Sequence, residues 1–263
     1  MQLSRPVSTA AVVMHGRHDV GDAVDRVRAV AERAGVELVE EPRDAELVVV
    51  LGGDGTMLRT LTELLGTGVP VIGVNFGRVG FLASISPGNL ERDLERVFKG
   101  EYVVVELPTL QVSLNGARHV AVNDVVVTSS TLGRMVELGW AVGGEDLGTV
   151  PCDGMICATP TGSTAYNLSN GGPVLVRGLD AMAVTFIAPH SLQARPLVVP
   201  RGLTLTVRNV TLDVACAILV DGHQVAKLEP DRAVSIYLCE QRSLLATLPE
   251  TTFFSRYRET FSS

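Results

Sequence analysis

Three features of this 263-residue sequence predict an α/β fold in the first hundred residues and a mainly-β fold after it. First, apolar runs rich in β-branched residues alternate with segments of helical spacing up to about residue 100, as in a parallel sheet covered by helices. Second, this grammar stops after Gly100, where short strand-type runs follow one another between glycine turns. Third, 46% of the residues are apolar and 19% charged, enough to bury a substantial core.

Taken in order, Ala10–Met14 is a first strand and His15-Gly16-Arg17-His18 a loop. Asp19–Ala34 has Val20, Val24, Val27 and Ala31 at helical spacing, with Gly35 as its stop. Val36–Val39 is a short strand. Val48–Leu51 is an uninterrupted apolar run, as expected of a parallel strand buried on both faces. A helix from about Gly55 to Leu65 ends at Gly66-Thr67-Gly68, and Val69–Val74 is the next buried strand. The loop Asn75-Phe76-Gly77-Arg78-Val79-Gly80 follows, and Asn89–Phe98 is a charged amphipathic helix. Beyond it, strands are predicted at 102–105, 109–114, 120–128, 135–142, 155–158, 183–187, 203–207, 212–219 and 233–238. Asn115-Gly116 is a hairpin signal, and Gly143-Gly144 and Asp221-Gly222 mark further turns. Phe253, Phe254 and Tyr257 in the tail suggest that it packs onto something. The reading is an α/β domain over 1–104, a β-rich domain over 105–240, and a C-terminal segment over 241–263 that packs back on the body.

Two polar, glycine-rich stretches carry the chemistry. Gly52-Gly53-Asp54-Gly55-Thr56 stands between the buried strand and its helix. Glycines there let the backbone approach a ligand and present N–H groups to an anion, so Gly52, Gly53, Gly55 and Thr56 form a phosphate-type loop. A carboxylate repels phosphate, so Asp54 makes sense if it takes a proton from an attacking hydroxyl or helps hold a metal ion. The plain alternative is a tight turn with Asp54 as a helix N-cap. The second stretch, Thr159–Pro173, holds many hydroxyls and no formal charge, and can offer donors to a ribose and its phosphates. Its Tyr166 could border a flat ring. Asn123-Asp124 interrupts an otherwise apolar strand and is either a satisfied structural pair or a pair of ligand contacts; Asp153 sits just before another strand.

Several function classes are disfavoured. The net charge of −7, without a basic run, argues against a nucleic-acid-binding face. No apolar run reaches membrane-spanning length, Met1–Thr9 has no apolar h-region, and the four cysteines lack C-x-x-C spacing. A cytoplasmic protein with reduced thiols, with no membrane or nucleic-acid partner, is the expectation.

These residues, in this order, carry a resemblance. GGDGT at 52–56, Gly73-Val74-Asn75-Phe76-Gly77 with Gly80-Phe81-Leu82, Asn123-Asp124, Asp153-Gly154 and Thr159–Tyr166 all belong to it. Pro189-His190-Ser191-Leu192, Arg195-Pro196 and Asp221-Gly222 complete it. Over nearly its whole length the chain resembles the bacterial NAD kinases. GGDGT is shared with diacylglycerol kinases and phosphofructokinases, whereas TPTGSTAY is far more specific. The resemblance implies an α/β N-terminal Rossmann-like domain plus a mainly-β, NAD-binding C-terminal domain, with the active site in the cleft between them. It implies transfer of the γ-phosphoryl group of ATP to the 2′-hydroxyl of the adenosine ribose of NAD, giving NADP, with Mg²⁺ or another divalent cation and no dedicated protein metal site.

In the resemblance Asp54 is the catalytic proton acceptor and, with Gly55, Asn123 and Asp124, a contact to NAD. Asp153 and the run Thr164, Ala165, Tyr166, Asn167, Leu168 and Ser169 match further dinucleotide contacts. Arg134 falls where a basic or histidine contact is common, and His223 where a glutamine often follows Asp-Gly. The implied assembly is a homodimer or homotetramer, with part of each site supplied by a neighbouring subunit. The chain departs from the pattern in having Asp124 for a glutamate, Pro151 for a basic residue and Asn170 for an alanine. The alternatives are a non-catalytic dinucleotide sensor on the same fold and a superfamily relative acting on a lipid or sugar hydroxyl. A sensor has no need of Asp54, and the basic amphipathic helix that a lipid kinase would use is missing from the sequence.

Overall fold

The computed structural model describes residues 4–14, 21–76, 80–114 and 116–261. The expected loop His15–His18, the centre of the Asn75–Gly80 loop at Gly77, Arg78 and Val79, and Asn115 of the hairpin signal lie outside the described residues. The chain divides into two units, Met1–Glu106 with Arg242–Ser263, and Leu107–Gln241.

The first unit begins β1 (Thr9–Met14), α1 (Gly21–Ala34), β2 (Glu37–Leu38), β3 (Leu47–Gly52), α2 (Asp54–Glu63), β4 (Val71–Asn75), α3 (Leu90–Phe98). The strands lie in the order β2-β1-β3-β4 and all pair in parallel. Every residue of β3 is buried, because both faces are covered. Side chains alternate across a strand. Leu47, Val49 and Leu51 of β3 and Ile72 and Val74 of β4 share a core with Val27 and Val30 of α1 and Leu94 and Phe98 of α3. Gly73, on the opposite face, lies beneath Met57 of α2, whose sulfur would sit 2.5 Å from a β-carbon placed there. Two-sided burial is why the sequence reads as continuous Val-Val-Val-Leu.

The second unit contains, in order, β5 (Val103–Leu114, entering from the first unit), β6 (Ala117–Ala121), β7 (Asp124–Ser129), β8 (Val136–Val142), β9 (Glu145–Cys152), β10 (Gly154–Ala158), α4 (Tyr166–Ser169), β11 (Ala181–Ile187), β12 (Leu197–Pro200), β13 (Leu205–Asn209), β14 (Cys216–Val220), β15 (His223–Leu228) and β16 (Ala233–Thr247). One antiparallel sheet has the order β12-β11-β10-β7-β14-β15. The other carries β16-β13-β8-β9, with β5 paired to β16 and β6. Val125, Val127, Met155, Val184 and Ile218 of the first sheet meet Leu110, Leu138, Leu205, Val207 and Ile236 of the second in one core. The reverse face of β7, β10 and β11 is buried too, Val126, Ile156 and Ala183 packing with Leu175. The last residues of β16 return to the first unit, Leu245 pairing in parallel with Val71, and α5 (Phe253–Phe261) closes the chain.

The structure corrects the reading of 120–128 as one strand. β6 and β7 belong to different sheets, and Asn123-Asp124 stands at the break between them. The cause is Asp221, whose carboxylate takes the N–H groups of Val122, Asn123 and Asp124 away from strand pairing. The runs at 102–105 and 109–114 are one strand, β5, continuous across Pro108. Strands β9, β12 and β15 have no counterpart in the sequence reading. All three are sheet edges with one partner each, so they need neither two-sided burial nor an apolar run. Among the described residues, no helix is long and apolar enough to cross a membrane.

Candidate functional site

In the first unit, the buried β3 delivers Gly52-Gly53 to the start of α2. Gly53 is the N-cap, in extended conformation, and Asp54 is the first helical residue, so the capping role offered as the plain alternative for Asp54 falls to Gly53. The Asp54 carboxylate instead reaches across to the chain after β4. Its Oδ2 accepts the N–H of Phe81 at 2.8 Å and its Oδ1 that of Leu82 at 3.2 Å. A β-carbon at position 80 would lie 2.3 Å from Asp54 Oδ2, so only glycine lets the two segments approach this closely. The segment is held to β4 by Ser84 and Ile85 N–H bonds to Gly73 O and by Asn75 N–H to Ile85 O. The glycines of the loop divide their work. Gly52 makes room for Thr56, whose Oγ1 would be 2.7 Å from a β-carbon, whereas Gly53 and Gly55 face open space. Thr56 N–H bonds to Gly53 O at 3.0 Å, closing the turn. The arrangement is a fixed carboxylate beside an accessible helix N-terminus, where backbone N–H groups and the helix dipole favour an anion.

In the second unit, sheet register gathers three distant motifs at one end. Asp124 opens β7 opposite Ala158, the last residue of β10, and Val220, the last of β14, pairs with Val125. Thr159 N–H bonds to Asn123 O at 2.9 Å and Thr159 Oγ1 donates to Val122 O at 2.6 Å. A β-carbon on Gly162 would lie 2.1 Å from Asn123 O, so this glycine permits direct backbone packing of the hydroxyl-rich loop on Asn123. Asn123 Oδ1 and Thr161 Oγ1 are buried and have no hydrogen-bond partner among the described residues. Buried polar atoms are ordinarily paired, so these two on adjoining segments leave hydrogen-bonding capacity that a ligand could use.

Other residues of the loop are engaged in building it. Asn167 is fully buried: its Nδ2 donates to Ser163 O and Pro173 O, each at 3.0 Å, and its Oδ1 accepts from Thr185 Oγ1 at 2.7 Å. Thr164 Oγ1 donates to Thr161 O at 3.1 Å. Ala165 and Leu168 are half-buried, Ser169 is exposed, and Tyr166 is 46% exposed. His223 opens β15 at the same end of the sheet, its Nδ1 3.1 Å from Asp221 O. Arg134 and Asp153 stand at the other end. Asp153 precedes Gly154, which pairs with Thr128, four residues along β7 from Asp124, roughly 13 Å at the rise of a strand. Arg134 is exposed and forms a 2.8 Å ion pair with Asp213. Within one chain, the unit therefore groups Asn123, Asp124, the 159–164 loop and His223, and sets Arg134 and Asp153 apart from them.

Asp124 is only 6% exposed. Burial, and then the charge of Asp221, push its carboxyl up to about 7. The folded chain thus keeps a proton that the unfolded chain releases in the ordinary carboxylate range. That contribution to stability is complete below the ordinary range and is lost as pH rises through about 7. Asp124→Asn mimics the protonated acid. It is expected to match wild-type stability near about pH 4 and to exceed it by about 1–3 kcal/mol at about pH 8. Urea denaturation across that range checks this, and a pH-independent difference would contradict it.

Comparison with known proteins resolves the family. The ATP-NAD kinase N-terminal domain matches residues 15–102 and the ATP-NAD kinase C-terminal domain residues 122–248. The NAD kinase of Heliobacterium modesticaldum is 37% identical over 245 residues, covering 91% of this chain and 87% of that protein. The chain belongs to the ATP-NAD kinase family. A second relative, the NAD kinase of Thermomicrobium roseum, is 36% identical over 95% of this chain and 90% of its own length. A crystal structure of an NAD kinase from Archaeoglobus fulgidus in complex with ATP superposes with a TM-score of 0.80 at 29% identity, covering 95% of this chain and 98% of that one. Yeast NADH kinase, solved with NADH, shares the fold at 20% identity with a TM-score of 0.85, covering 98% of this chain and 88% of that one.

Sequence reasoning on this ATP-NAD kinase family member names Phe81, Leu82 and Asp221 within motifs of the resemblance but gives none of them a role at the site. Phe81 and Leu82 act through backbone N–H groups, which leave no side-chain signature. Asp221 reads as a turn residue and as part of a motif of the resemblance; its φ of +47° and its position before Gly222 mark a specialised hairpin corner.

Proposed function

We propose that this chain is an NAD kinase that transfers the γ-phosphoryl group of ATP to the 2′-hydroxyl of the adenosine ribose of NAD, releasing ADP and NADP. The observation that carries this reading is the Asp54 carboxylate, fixed by two N–H groups at the start of α2 beside the open Gly53 and Gly55. The ribose oxygen forms a bond to the γ-phosphorus as the bond from that phosphorus to the ADP oxygen breaks. The hydroxyl proton passes to Asp54. The donor phosphates lie against the N–H groups of the Gly52–Thr56 turn, which meet the negative charge spread over the transferred group. Asn123, Asp124, the Thr164–Ser169 run and His223 hold the dinucleotide. ATP as donor is supported by the ATP-bound Archaeoglobus structure of the family.

A divalent cation completes the reaction in this reading. Among the described residues no group of three or more His, Cys, Asp or Glu could hold a metal. Such a cation fits as Mg²⁺ carried on the triphosphate, where it would draw charge off the phosphate oxygens. Arg134 and Asp153 serve a neighbouring subunit of a homodimer or homotetramer, a role suited to their separation from the Asp124 end. Four free, buried cysteines suit a reducing cytoplasm, which cell fractionation would check.

A donor-by-acceptor activity matrix on the purified protein tests the reading. NADP is expected from NAD, ATP and Mg²⁺, with no phosphorylation of diacylglycerol. Faster turnover of the lipid would transfer the chain to the lipid-kinase reading, and NAD binding without NADP formation would make it a sensor. Light scattering on the same preparation is expected to report an oligomer, and a fully active monomer would exclude the shared site.

A further inference from the structure

We propose that α5, at the end of the chain, positions the catalytic carboxylate. The inference rests on the reading of Asp54 as proton acceptor. Asp54 is oriented by the N–H groups of Phe81 and Leu82, so its direction is only as well defined as the backbone at 80–83. That backbone is gripped from outside by α5. The Phe81 ring lies between Phe253 and Phe261, with centroids 5.9 and 5.8 Å away. Tyr257, one turn from each, touches both, at 6.4 and 4.9 Å. Arg256 Nη2 donates to Ala83 O at 2.7 Å. The Arg256 side chain is only 14% exposed, and Glu259 orients its guanidinium at 2.9 Å.

Phe253, Arg256, Tyr257 and Phe261 follow i, i+3, i+4, i+8 spacing, so one face of α5 makes all these contacts. A nine-residue helix is marginal alone, so its order depends on this docking. The coupling runs both ways: what α5 gains from Phe81 and Ala83, the 80–83 segment gains in rigidity. Gly80 adds the second half of the device. Because a β-carbon there would overlap the Asp54 carboxylate, the backbone at Gly80 packs directly on it, and a small shift of the segment is transmitted to the carboxylate. A carboxylate displaced by about 1 Å can lose about 10²-fold in rate while the substrate is still bound.

The test is the double variant Phe253→Ala/Phe261→Ala, beside Phe253→Leu/Phe261→Leu, Arg256→Ala and, as a control on the exposed side of α5, Arg258→Ala. The alanine pair is expected to lower kcat by about 10-fold to 10²-fold, with KM for NAD within about twofold. Amide hydrogen exchange at Phe81 and Leu82 should accelerate, and the leucine pair should recover most of the loss. In an Asp54→Asn background the alanine pair should cause no further loss, because groups acting as a unit are non-additive. Unchanged kcat in a folded alanine pair, with Asp54→Asn itself impaired, overturns the positioning role and leaves the base reading standing. Wild-type kcat in Asp54→Asn overturns the base reading instead, and with it the positioning role. If the alanine pair does not fold, Arg256→Ala carries the same test, with a fall in kcat and faster Phe81 and Leu82 exchange expected.

Discussion

Asp54→Asn is expected to cut kcat by about 10²–10⁴-fold, the range a positioned general base contributes. A ribose hydroxyl is a poor nucleophile while it keeps its proton, and a carboxylate near the donor phosphates is a liability unless it serves the attacking oxygen. The amide keeps the size and the helical position but cannot accept the proton. It also turns an NH₂ group toward one of two N–H donors, Phe81 or Leu82, that now share one carboxylate. One hydrogen bond to a charged acceptor is lost, so the fold is expected to weaken by about 1–3 kcal/mol and to persist. NAD binding should fall modestly, and ATP binding should tighten because a repulsive charge is gone. Steady-state kinetics with both substrates, on protein whose circular dichroism matches wild type, separate these effects. Near-normal kcat would leave Asp54 only as the acceptor that tethers Phe81 and Leu82, and the mechanism would be abandoned.

What could be read in the sequence follows from burial. β3 and β4 carry helices on both faces, so Leu47–Leu51 and Val71–Val74 had to be apolar, and the glycine turn after β3 stood out against them. The strands of the second unit that lie in sheet centres were visible for the same reason. Edge strands were not: β9 is exposed along its first five residues and includes Glu145, Asp146 and Gly148, a composition that reads as loop. The break at Asn123 was hidden because its cause lies about a hundred residues downstream, in Asp221. The separation of Asp153 and Arg134 from Asp124 depends on antiparallel register, which no local pattern encodes. The same holds for the division of labour among Gly52, Gly53 and Gly55, which local spacing treats alike and the fold does not.

Asp221→Ala is the substitution expected to damage the second unit most. Asp221 and Gly222 form the two-residue corner between β14 and β15, with φ of +47° and +80° and Val220 paired to His223. Aspartate and asparagine tolerate the left-handed region better than alanine, so the corner itself is strained by the change. The larger effect lies across the sheet end. One carboxylate accepts three backbone N–H groups, from Val122 at 2.9 Å, Asn123 at 2.8 Å and Asp124 at 3.1 Å, while Asp221 N–H returns a bond to Asp124 O at 3.0 Å. Val122 is fully buried, so its donor has no water to turn to. An unpaired buried donor costs about 1–3 kcal/mol, and more than one is stranded, so a loss of about 3 kcal/mol or more is expected in urea denaturation. Asp221→Asn keeps the corner and one acceptor oxygen and should lose about half as much. Because the same bonds set the course of Asn123 and Asp124, KM for NAD should rise about 10-fold in the alanine variant, the equivalent of about 1.4 kcal/mol. Removing the charge also relieves Asp124, whose carboxyl should titrate lower, though burial still holds it above the ordinary range. Wild-type stability with wild-type KM in Asp221→Ala would mean that the three N–H groups find other acceptors, and that the Thr159 bonds and the packing of Gly162 suffice to hold Asn123 and Asp124 in place.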